Sequence, residues 1–172
     1  MPIIKPAPSE YYQYYGTYVD KVANNDLLPA LVENQETFSA FIKSIPVDKL
    51  DYRYAEGKWS IKEVIIHLTD AERIFAYRAL RFARKDKTEL AGFEENNYVP
   101  ESNASSYDTR SLIEEFEAVR KASITLFKSF TAEMSLRTGS ANGKEISVRA
   151  LGFVIVGHTM HHMQVIKERY LS

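Results

Sequence analysis

The chain has 172 residues, 22 Lys plus Arg against 23 Asp plus Glu, a formal net charge of -1 and 45% hydrophobic residues. That length suits one domain spanning residues 1–172, able to hide about 70% of its unfolded surface, and the composition excludes a disordered or low-complexity chain. The even charge argues against a nucleic-acid partner; no apolar run reaches the roughly 20 residues that cross a bilayer, and MPIIKPAPSE lacks the apolar core of a secretory signal, so a cytoplasmic protein is expected.

Residues 1 to 25 read as an irregular arm, with three prolines in the first ten positions and then Tyr11, Tyr12, Tyr14, Tyr15 and Tyr18. Tyrosine buries a large ring while keeping its hydroxyl wet, so the arm is expected to lie across the core. Asn25 or Asp26 is placed to cap a first helix from about Leu27 to Ser44, with Pro29 in its first turn and Pro46 ending it. Its apolar spacing runs through Leu28, Leu31, Val32, Phe38 and Ile42.

Ser60 and Glu63 form a capping box that opens a second helix, Ile61 to about Arg84, with Trp59 as an apolar staple before it. Val64, Ile65, Leu68, Ala71, Phe75 and Phe82 lie along one side. Arg73, Arg78 and Arg81 make a basic strip, of a kind more often solvated or paired with carboxylates than bound to anions. Lys85 to Tyr107 is a long connector of the sort often used for function, and Phe93, Glu94, Glu95 and Tyr98 are candidates to wall a pocket or to be plain loop surface. A third helix starts at Asp108 or Thr109; Asn142-Gly143 marks a hairpin; Ser147 caps a last helix from Val148 to about Tyr170. The expected fold is all-α, a four-helix bundle.

The chain has four histidines, three of them between positions 158 and 162. At about 100° per residue, His158 falls in the middle of the stripe Leu151, Val154, Ile155, Val165, Ile166, and His162 lies about 40° away inside it. His161 lies about 60° to the other side, at the stripe's edge, while Thr159, Met160 and Met163 point elsewhere. On the second helix, His67 sits among Val64, Ala71 and Ile74 and also points inward. An imidazole among apolar side chains needs a partner. Two histidines one turn apart and a third from a facing helix can hold one ion with positions left open, as in a catalytic site. The same rings could instead be core histidines bonded to carbonyls. Asp70, one turn from His67, is a candidate to orient an imidazole through its second N–H or to act as a base, and otherwise to form a surface ion pair. There is no cysteine, so any thiol chemistry uses a thiol from outside.

The segments KWSIKEVIIHLTDAERIFAYRALRFARKD, GFEENNYV and GKEISVRALGFVIVGHTMHHMQVIKERYL resemble the DinB-like superfamily, in the subgroup of YfiT-type metal-dependent hydrolases and bacillithiol-transferase-like proteins. The resemblance runs from about Tyr15 to Leu171 and rests on one histidine in the second helix followed by HxxxH in the fourth. It implies an up-down-down-up bundle, a homodimer, and a divalent metal, nickel or zinc, on His67, His158 and His162, with no ligand role for His161. It also implies transfer of a low-molecular-weight thiol to an electrophile, or hydrolysis of a small substrate. A non-catalytic bundle that is metal-stabilised, or that binds a partner, is the competing reading.

Overall fold

The computed structural model describes residues 2–172. The arm forms two short 3-10 turns and one helical turn, α1 (Gly16–Val19). The four long helices are α2 (Leu27–Ser44), α3 (Ile61–Ala83), α5 (Thr109–Lys128) and α7 (Val148–Arg169), with short helices α4 (Glu95–Tyr98) and α6 (Ala132–Leu136) in the connectors. Capping chemistry sets their starts. At α3 the Glu63 N–H donates to Ser60 Oγ at 3.3 Å while the Glu63 carboxylate accepts the Ser60 N–H at 2.6 Å. At α5 Asp108 accepts the Ser111 N–H at 2.7 Å, and at α7 Ser147 accepts from Ala150 at 3.1 Å. Strand β1 (Thr138–Ala141) pairs antiparallel with β2 (Lys144–Ser147). Asn142 and Gly143 turn between them at φ 53° and 67°, the left-handed region that Asn and Gly tolerate best.

The bundle topology follows from which residues meet. α3 packs on α5 and α7, and α2 packs on the same two, so the consecutive helices α2 and α3 occupy opposite corners. Asn34 and Phe38 meet Arg120 and Phe116, which makes α2 and α5 antiparallel. Ile61 and Ile65 share one apolar cluster with Leu112 and Phe116, whereas Ala79 and Phe82 share the other with Phe127, so α3 and α5 run the same way. Tyr170, at the end of α7, donates to the Trp59 carbonyl at 2.8 Å, just ahead of α3, so those two are antiparallel. The order is the expected up-down-down-up. No described helix is long and apolar enough to cross a membrane.

The two apolar clusters meet at a polar layer across the waist of the bundle. Arg120, fully buried, is gripped there by Glu72 and also donates to Asn34 and Thr159, so one guanidinium touches all four long helices. This corrects the expectation for Thr159, which is buried rather than pointing away. Two further readings change. Val32 is exposed, and the Asp26 carboxylate accepts the Ile3 N–H at 3.2 Å instead of capping α2, which ties the arm down.

Candidate metal centre and its cleft

His67 is almost two turns into α3, and His158 and His162 are one turn apart on α7. Because these helices are packed antiparallel, the rings meet in the polar layer. Nε2 of His158 lies 3.3 Å from Nε2 of His67 and 3.1 Å from Nε2 of His162. One ligand atom from each ring lies within 4.8 Å of the others. The Nε2 atoms therefore face one another and not main-chain carbonyls. Three neutral imidazole nitrogens this close together fit a borderline-soft divalent ion, which His67, His158 and His162 would hold.

Electrostatics favour the ligand form. Burial pushes His67 down to about 4, and burial together with His67 and His161 pushes His162 down to about 3. Burial, with its histidine neighbours, holds His158 well below the usual imidazole value. Rings that stay neutral at pH 7 have lone pairs ready for a metal.

His161 stands outside this group, with its ring 5.5 Å from Tyr18. The Asp70 carboxylate is occupied by Arg73 at 3.0 Å, and Arg73 also reaches Glu115 at 2.7 Å, so Asp70 sits in the α3–α5 seam and makes no hydrogen bond to an imidazole. Glu63 serves the cap and holds Arg53.

The histidines form the floor of a cleft of about 310 Å³. Its walls were the part hardest to read from sequence. Trp59 is more than a staple, since its ring lies 4.9 Å from His67. Tyr14, Tyr15 and Tyr18 come from the arm, with Tyr18 5.0 Å from His158 and its hydroxyl 3.0 Å from that of Tyr14. Gly157 makes this docking feasible, because a Cβ there would overlap the Tyr18 carbonyl oxygen. Phe75 and Arg78 complete the α3 side. From the long connector, Phe93 and Glu95 line the cleft, whereas Glu94 caps α4 and Tyr98 leans on Phe93 from an exposed position. The connector is held there by hydrogen bonds between Leu90 and the hairpin, Leu90 N to Ser140 O at 3.0 Å and Asn142 N to Leu90 O at 2.9 Å.

A family profile described as the DinB superfamily matches residues 30–166. The chain belongs to the DinB superfamily. The match runs from α2 to near the end of α7 and so contains all three histidines. Among solved structures, the chain resembles YfiT from Bacillus subtilis, described as "a probable metal-dependent hydrolase with an unusual four-helix bundle topology", at TM-score 0.73 and 17% identity over 83% of this chain and 82% of that one. It also resembles a mycothiol-dependent maleylpyruvate isomerase at TM-score 0.66 and 10% identity, over 80% of this chain and 58% of that one. At these identities the likeness is one of fold. No curated protein matches by sequence.

Proposed function

We propose that this DinB-superfamily protein is a metal-dependent enzyme. In this reading His67, His158 and His162 hold a divalent ion, nickel or zinc, and the reaction is transfer of a low-molecular-weight thiol to an electrophile or hydrolysis of a small substrate. The observation that carries it is the convergence of three imidazole nitrogens within 4.8 Å on the floor of a cleft of about 310 Å³. The likeness to YfiT, described as a "probable metal-dependent hydrolase", supports the metal, and the likeness to a mycothiol-dependent isomerase supports a thiol as co-substrate.

When bound, the ion supplies Lewis acidity, which favours the ionised form of a thiol or water brought to it. Burial keeps the three rings neutral, so each has one unprotonated nitrogen at pH 7 and no second proton competes with a metal for it. The chain has no cysteine, so an attacking thiol enters as a co-substrate. Trp59 and Phe75 present apolar faces that keep bulk water from the floor. Burial pushes the Tyr18 phenol far above its ordinary value, so it stays protonated beside His158 and can donate a hydrogen bond to a substrate oxygen without giving up its proton. The reading includes a cytoplasmic homodimer, which light scattering and cell fractionation test.

The test is to load the protein with nickel or zinc, count the metal by elemental analysis, and follow both thiol consumption against a chromogenic electrophile and hydrolysis of a chromogenic ester. Turnover of either kind that disappears in His158→Ala supports the reading. Metal that raises the melting temperature without any turnover overturns it in favour of a non-catalytic bundle.

A further inference from the structure

Among the described residues, every arginine that is not exposed has a carboxylate partner, except one. Arg81 pairs with Asp86, Arg120 with Glu72, Arg137 with Glu133 and Arg149 with Glu10. Arg78 is only 5% exposed and forms no ion pair. Its Nη2 donates to the Ala91 carbonyl at 2.9 Å, and its other polar neighbour is the Tyr15 phenol. A buried guanidinium held by neutral acceptors keeps unspent charge and unspent N–H donors.

That charge faces the cleft. Arg78 lines it together with the three histidines, and Glu95 lines it too without reaching ion-pair distance. The Phe75 ring separates the two chemistries, with its centroid 6.3 Å from the His158 ring and 5.8 Å from the Arg78 guanidinium carbon. The cleft is therefore bipolar: nitrogen donors at one end, a fixed cation at the other, and an aromatic wall between.

We propose that Arg78 recognises a carboxylate on the substrate, an acid with an apolar body about the size of one aromatic ring, and so points its reacting end toward the histidines. The planar fork of a guanidinium matches a carboxylate through two parallel hydrogen bonds. The one cation among the lining residues matches the charge of a monoanion rather than that of a phosphate dianion. The role of the histidines as reacting end rests on the proposed function; carboxylate recognition does not.

Trp59, the sole tryptophan, lines the cleft and reports binding by its fluorescence. Metal-free full-length protein is titrated with 3-phenylpropionate and, as the neutral control, 3-phenylpropanamide. The expected result is an acid bound about tenfold tighter than the amide, because only the carboxylate makes charge-assisted hydrogen bonds to the guanidinium. Arg78→Gln should bring the acid down to the amide's affinity and leave the amide's affinity within about twofold. His162→Ala should keep the preference. The proposal is overturned if the preference survives in Arg78→Gln. It is equally overturned if both probes weaken together, which would make Arg78 only an anchor for the connector through Ala91. A preference lost in His162→Ala would place the carboxylate on the histidines and also overturn it. A crystal structure of the unaltered protein with 3-phenylpropionate needs no variant to fold, and a carboxylate seen anywhere but on the guanidinium is a refutation. A protein that prefers the acid yet takes up no nickel or zinc would refute the metal reading and leave this one standing.

Discussion

Arg120 and Glu72 grip each other through two parallel hydrogen bonds, Nε to Oε1 at 2.8 Å and Nη2 to Oε2 at 2.9 Å, with side chains 0% and 3% exposed. The remaining donors reach the Leu31 carbonyl at 3.2 Å and Asn34 at 2.7 Å on α2, and Thr159 at 3.2 Å on α7, next in sequence to His158. A buried pair adds little net stability over an apolar substitute, but removing one partner strands the other charge. Glu72→Gln should therefore lower unfolding stability by about 3 kcal/mol or more. Glu72→Leu combined with Arg120→Met should recover most of that. Urea denaturation measures both.

The histidines divide into three that converge and one that does not. His158→Ala should lower bound nickel or zinc well below one ion per chain, whereas His161→Ala should leave it near the parent level. Elemental analysis of the purified variants decides, and equal full occupancy in both would refute the ligand assignment. Chelation should leave the helices intact by circular dichroism and lower the melting temperature, because the bundle keeps its apolar clusters without metal.

Gly157 lets the backbone of α1 lie directly on α7. Gly157→Ala should force the arm outward at a cost of about 1–3 kcal/mol, which is about 2–4 °C in melting temperature per kcal/mol for a chain of this size. Limited trypsin digestion should show faster cleavage at Lys21, which follows α1. An unchanged digestion pattern would mean that the arm does not depend on this contact.

Acid should loosen the same arm. Burial pushes the Glu10 carboxyl up, but hydrogen bonds from Arg149, the Ala7 N–H and Ser147 outweigh it and hold Glu10 below its ordinary value. The folded pKa is the lower one, so the stabilisation is complete above about 4.5, the ordinary value, and is lost as pH falls through the folded value. The melting temperature of the parent should exceed that of Glu10→Gln at about pH 6, and the gap should shrink as the pH is taken down below about 4.5. A gap that stays constant with pH would show that Glu10 acts through packing alone.

Much of the fold is written in local signals. The Ser60–Glu63 box, the Ser147 cap and the Asn142-Gly143 turn act over two to four residues, and the structure has each where the sequence places it. His67, His158 and His162 were legible because helical spacing puts each on an inward face. The cleft walls were not, because their roles are tertiary. Nothing local distinguishes Arg78, which the fold buries, from Arg73, which it pairs with Asp70 and Glu115 at the surface. Nothing local says that Tyr18 will be laid on Gly157, or that Arg120 will cross the core. α7 shows the limit of periodicity itself. From Val148 to Thr159 only Arg149 escapes full burial, so a stripe drawn at helical spacing underestimates its contacts and misplaces Thr159.

His67 and His158 face each other across 91 positions of chain. The loop between them closes only when α7 has emerged and docked, so the floor of the cleft belongs to the last stage of assembly rather than the first. During synthesis, α3 is exposed on the face that α7 will cover, and a truncation anywhere before α7 leaves a lone imidazole where the folded bundle brings three together.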